Sequence, residues 1–196
     1  TEGSREEMAA RPKGSPKQRQ GRRKYGARRR IPWIPMGAAL VVLVGGFFLV
    51  RSLELGAPGE RVSVSGVGQH PPEGQPIGYS AVPPAGGPHW PSAAPWGFSP
   101  AVPDERAVHN LEHGGVVASH NEIAKEDLDR LRLLLQTYPR DRYGEVKLLI
   151  RPYDRIPAGT FVLAAWGWRQ SFTAYDDAAV RAFMDAHLNR CCENVP

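Results

Sequence analysis

The chain has 196 residues and a formal net charge of +5, a length that suits one ordinary core with appended segments and leaves no room for two independent cores. Residues 1–30 carry 11 Lys/Arg against 3 Glu, whereas residues 52–196 carry 13 against 17 acidic residues, so the basic balance belongs to the N-terminal stretch and implies no anionic partner for the rest. The only two cysteines, Cys191 and Cys192, are adjacent, which excludes a disulfide-stapled scaffold and, with it, that class of small secreted domain.

Residues 1–30 hold almost no large apolar side chain, so they are predicted to be a disordered basic tail. Apart from Tyr25 the tail lacks aromatic residues for base stacking, so nucleic acid is not an expected partner. From Ile31 to Val50 there are 20 residues without a charge, about the length needed to cross a hydrocarbon core. The spacing predicts a transmembrane helix over 31–51, an uncleaved signal anchor that is too long and too far from the start for a cleaved signal peptide. Arg28, Arg29 and Arg30 flank its start, which places the N-terminus inside and the rest of the chain outside the cytoplasm. Membrane lipids are then partners through the span and the basic tail.

Residues 52–59 read as a linker, 60–190 as the extracytoplasmic domain and 191–196 as a C-terminal tail. Within the domain, Arg61–Val67 alternates like a strand. Ten prolines between Gln69 and Pro103 forbid a helix or a central strand there, while Tyr79, Trp90, Trp96 and Phe98 argue for an ordered coil wrapped on the core. Gly115–Ser119 reads as a short buried strand. Leucines at 128, 131, 134 and 135 predict a helix over 125–138, closed by Pro139. Strands are predicted over 146–151 and 161–168. A last helix, capped by Asp176 or Asp177, places Val180, Phe183, Met184, His187 and Leu188 on one face. The expected class is α+β: after the transmembrane helix, a small, mostly antiparallel sheet with two helices on one face and a long Pro/Gly-rich coil.

Four of the six histidines, His70, His89, His109 and His113, fall in the coil or at its exit. His109 and His113 are four apart and share a face in helix or strand alike, so the pair can converge on one ion. His89, after the Pro-rich turn, can complete an open three-histidine site. Glu112 is a candidate ligand, acid/base group or acceptor that sets a histidine tautomer. The string from His109 to His113 also matches H-x-x-E-H, the inverted zinc-peptidase motif, but Gly114-Gly115 ends any helix there and no third ligand is visible downstream. His120 reads as surface or cap chemistry and His187 as a packing residue. The opposing interpretation is that the histidines simply hydrogen-bond coil backbone that has no ladder partner.

At Gln69-His70, at Tyr79, at Pro83-Pro84-Ala85-Gly86-Gly87-Pro88-His89-Trp90 and at Val108–Val117, which includes Leu111-Glu112-His113-Gly114, the chain resembles a bacterial family known as domain of unknown function 3105. The family's later A-W-G element is matched by Ala165-Trp166-Gly167, and the likeness covers roughly residues 60–190. It implies a site built from His70, His89, His109 and His113, with Glu112 and Tyr79 beside them, in a single-pass protein of the bacterial cytoplasmic membrane. Gly86 stands where the family pattern has serine, which makes serine-based chemistry untenable there. The expected function is binding, delivery or sensing of a transition metal, copper or zinc. The alternatives are a non-catalytic envelope interaction module, such as an accessory subunit with a membrane-protein partner, and a metal-dependent hydrolase. No catalytic or organic cofactor-binding residue is assigned.

Overall fold

The computed structural model describes residues 56–193 and Val195. The predicted tail over 1–30 and span over 31–51 lie outside the described residues, as do residues 52–55 of the linker. Among the described residues no helix is long and apolar enough to cross a membrane.

The elements are β1 (Glu60–Arg61), β2 (Gly97–Phe98), α1 (Asp104–Glu112), β3 (Val116–Asn121), α2 (Lys125–Thr137), β4 (Leu148–Pro152), β5 (Thr160–Ala165), β6 (Trp168–Phe172) and α3 (Asp177–His187). One sheet has the order β1-β6-β5-β3-β4-β2. Two features correct the expected fold class. The sheet is mixed, because β3–β4 and β4–β2 are parallel while β1–β6, β6–β5 and β5–β3 are antiparallel. The reason is α2, which lies between β3 and β4 in the chain: a helical crossover returns the strand in its original direction, whereas a hairpin reverses it. There are also three helices among the described residues, since α1 forms directly after Pro103. Asp104 and Glu105 sit in its first turn, where negative charge suits the helix dipole. The stretch predicted as one strand over 161–168 is the hairpin β5–β6, which turns at Trp166-Gly167; Gly167 has φ +75°, a conformation glycine adopts without strain.

The two faces of the sheet follow from the alternation of side chains along a strand. Val116, Ala118, Leu148, Ile150, Phe161, Leu163 and Ala165 face α2 and α3, where Leu131, Leu134, Val180, Phe183 and Met184 complete the main core. The intervening residues Val117, Leu149 and Ala164 face the other way, against Ala107 and Leu111 of α1 and Ala85 and Ala94 of the coil. The helices predicted from leucine spacing thus cover one face, and α1 with the irregular coil covers the other.

That second face carries two buried cations, one within β4 and one just before it. Lys147 is wholly buried; its Nζ donates to the carbonyl of His113 at 3.0 Å and to that of Val195. Arg151 is almost as buried and donates to Val102 O at 2.8 Å, Asp104 Oδ1 at 2.5 Å and Ser119 Oγ at 3.0 Å. Tyr153 and Arg155 also donate to Asp104 Oδ2. Removing one partner of a buried pair strands the other charge, which typically costs about 3–5 kcal/mol. Asp104→Ala is therefore expected to lower unfolding free energy by about that amount in urea titrations, whereas Lys125→Ala, which removes an exposed pair with Asp129, is expected to leave the urea midpoint nearly unchanged.

Candidate metal centre

The last turn of α1 is polar although it is buried: His109, Asn110 and Glu112 are all nearly inaccessible. Buried polar groups need partners, and the coil supplies them. Asn110 clamps the coil by accepting from Ala94 N at 2.9 Å and donating to Ala94 O at 2.8 Å. Glu112 reaches the loop histidines, with Oε2 2.9 Å from His89 Nε2 and 3.4 Å from His70 Nε2. His109 lies beside them, its ring centroid 4.9 Å from that of His89 and 5.8 Å from that of His70. One ring nitrogen from each of His70, His89 and His109 falls within 4.8 Å of the others. Ligands of a tetrahedral ion with metal–nitrogen bonds of about 2.0–2.1 Å stand about 3.3 Å apart, so small side-chain adjustments bring the three imidazoles onto one ion.

The ring orientations are set by backbone. His89 Nδ1 is 2.8 Å from Gly87 O and His109 Nδ1 is 2.6 Å from Trp90 O. A carbonyl can only accept, so both Nδ1 atoms carry the proton and Nε2 is the atom left for a ligand. This is the arrangement in which a metal-binding histidine is oriented by its other nitrogen. His113 Nε2 lies 2.9 Å from His109 Nε2 and 3.9 Å from Glu193 Oε2, so it joins the cluster through His109.

The loop that presents His89 is held from several sides. His89 N–H donates to Gln69 O, which fixes His70's neighbour against it. Tyr79 donates its hydroxyl proton to Pro88 O at 2.7 Å, and burial, helped by Glu105 and Asp104, pushes its phenol pKa well up. Tyr79 is thus a positioning residue that keeps its proton at neutral pH. Gly167 N donates to Ala85 O at 2.7 Å, and Trp166 stands edge-on to His89 at 6.1 Å between centroids.

The structure brings all six predicted residues, His70, Tyr79, His89, His109, Glu112 and His113, into one neighbourhood. Sequence reading missed the orienting carbonyls of Gly87 and Trp90, the clamp by Asn110, and Glu193. Asn110 and Trp166 lie inside the quoted motifs and were findable there; Glu193 carries no sequence signal. For H-x-x-E-H as a peptidase motif, the partners that His109 and Glu112 meet are upstream, His70 and His89. Residues 70–194 match the model of a family described as protein of unknown function (DUF3105), and the chain belongs to that family. No curated protein and no solved structure matches it. It is a domain of unknown function in which three neighbouring histidines can hold a metal ion.

The two other histidines stand apart. His187 donates from Nε2 to Pro58 O at 2.8 Å and packs on Phe183 and Trp168, the packing role expected of it. His120, expected at the surface, is buried against Phe98 and its Nε2 has no hydrogen-bond partner among the described residues. Burial lowers the pKa of both, with the charge of Arg132 adding to it at His120 and the bond to Pro58 opposing it at His187. With folded values below the unfolded value of about 6.5, the unfolded chain takes up protons first as pH falls. Stability is therefore expected to be full above about pH 6.5 and to decline below it. Urea midpoints at pH 7.5 and 5.5 measure the decline, which should shrink in a His120→Asn, His187→Asn variant.

Proposed function

We propose that this domain binds one copper or zinc ion through Nε2 of His89 and His109 together with His70. The Glu112 carboxylate is the adjacent anion that offsets the ion's charge, and His113 is a further imidazole at its edge. The observation that carries the reading is the shared orientation of His89 and His109, whose Nδ1 protons are committed to backbone carbonyls, while Nε2 of His89 meets the buried Glu112 carboxylate and Nε2 of His109 meets His113 Nε2. Imidazole donors suit copper and zinc among the first-row ions. His70 is 38% exposed whereas His89 is 0% exposed. One ligand at the solvent edge supports reversible binding, in delivery or sensing, over a closed structural site. The uncharged stretch 31–50 and the basic residues before it support work at the outer face of the bacterial cytoplasmic membrane.

Elemental analysis of the full chain, purified in detergent, is expected to find one copper or zinc per chain. His89→Ala should weaken binding in a chelator competition by more than the roughly 10–100-fold that loss of a supporting group costs, with the circular dichroism spectrum retained. No stoichiometric metal in the folded wild-type chain would sink the reading. Because ligands must shed protons to bind, affinity should also fall between pH 7.5 and 5.5, with proton release measurable in weakly buffered calorimetry.

A further inference from the structure

The tautomer of His109 fixes that of a further histidine. Nδ1 of His109 carries the proton donated to Trp90 O, so its Nε2 is a bare lone pair. His113 Nε2 lies 2.9 Å away, and of two nitrogens at that distance one must donate. His113 therefore holds its proton on Nε2 and gives it to the atom that His109 would offer to an ion. His113 also stands outside the three imidazoles whose nitrogens fall within 4.8 Å of one another. Its place is over the lone pair of a ligand.

The surroundings give this ring a second acceptor. The backbone of His113 is pinned, its N–H donating to His109 O at 3.1 Å and its carbonyl accepting from Lys147 Nζ at 3.0 Å. After α3 the chain returns over this end of α1, where Asn189 N donates to Gly114 O at 2.7 Å and Glu193 N donates to Glu112 O at 3.0 Å. So close a return needs glycine at 114, since a Cβ there would lie 3.2 Å from Asn189 Cα and from Cys191 O, and its φ is +77°. It sets Glu193 Oε2 3.9 Å from His113 Nε2, just beyond hydrogen-bond reach. Both side chains touch solvent, His113 at 17% and Glu193 at 54% exposure, so a turn of the ring between the two acceptors requires no backbone movement.

We propose that His113 is a gate on the histidine site, a positioning residue that competes with the ion for His109. This rests on the histidine cluster being a metal site. In the metal-free chain the His113 Nε2–H occupies the His109 lone pair. When a divalent ion binds His70, His89 and His109, the ring turns outward and donates the same proton to the Glu193 carboxylate. His113 stays neutral and keeps its proton throughout, so one hydrogen bond is exchanged for another and no proton is transferred. The bond between the two histidines stabilises the empty state, and an ion must displace it to enter. Release restores it. The gate thereby weakens retention and favours exchange of the ion with a receiver, in keeping with delivery or sensing.

The test uses the full chain in detergent. In histidine-labelled, metal-free protein, nuclear magnetic resonance should show a scalar coupling across the hydrogen bond between the Nε2 nuclei of His109 and His113, and Zn(II) should abolish it. In competition with a chromogenic chelator, His113→Phe, which keeps a ring and removes both nitrogens, should bind Zn(II) roughly fivefold more tightly than wild type, the scale of one hydrogen bond of ordinary net strength. His113→Gln, which keeps an N–H donor near the Nε2 position, should stay close to wild type. Absence of the coupling in the metal-free chain would overturn the gate whether or not the variants fold. Weaker Zn(II) binding in both folded variants would also overturn it, making His113 a ligand and leaving the histidine metal site standing. Zn(II) bound by His113→Phe alone would uphold the gate, and Zn(II) bound by neither wild type nor His113→Phe would refute the metal site and the gate together.

Discussion

Two cations on one strand segment hold the ends of α1, and the histidine cluster inherits its geometry from that clamp. Lys147 and Arg151 are four residues apart, so they point to the same face of the sheet and are separated by about 13 Å. A nine-residue helix is also about 13 Å long. Arg151 meets Asp104 at the first residue of α1, and Lys147 meets the carbonyl of His113 just past the last. A cation at a helix C-terminus and a paired acid at its N-terminus both agree with the helix dipole. With its ends fixed, α1 has one allowed rotation: Ala107 and Leu111 go to the sheet and His109 and Glu112 go to the coil.

The coil is irregular because it is shaped to that polar turn. Its prolines remove backbone donors that would otherwise need partners, and several of its carbonyls are met by side chains. Asn110 holds Ala94, Tyr79 holds Pro88, Trp90 holds Gln75 through its indole N–H, and Arg169 holds Val82. The carbonyls of Gly87 and Trp90, which have no strand partner, face histidine rings instead. The same hydrogen bonds that satisfy the loop therefore set the tautomers, so the structural account and the metal-site account of these histidines describe one set of contacts.

Gly86 shows how local packing overrides a family pattern. Its φ is +140°, and a Cβ would come within 2.9 Å of both methyl groups of Val64. Serine at this position would need Val64 to move and would strain the backbone. The space a side chain would fill is taken by Val64 and Trp166, and Trp166 stands edge-on to His89. In this chain the position serves packing around the histidine loop and brings no hydroxyl to it.

Much was legible in the sequence because local physics determined it. Leucine spacing set α2, the apolar stripe ending at Leu188 set α3, and the proline density of 69–103 required a coil, each from constraints that act within a few residues. The four histidines and Glu112 could be nominated because their side chains have little other use in such a stretch. Strand direction was not local: the parallel pairing of β3 with β4 depends on α2 crossing between them, and the pairing of β2 with β4 depends on where the coil returns. Helix α1 was too short and too polar to declare itself, since its stability comes from Lys147, Arg151 and the sheet face beneath it. The convergence of His70, His89 and His109, and the return of Glu193 to His113, join residues far apart in the chain. Only tertiary packing brings such residues together, because the energy that holds them is in contacts no single segment can make.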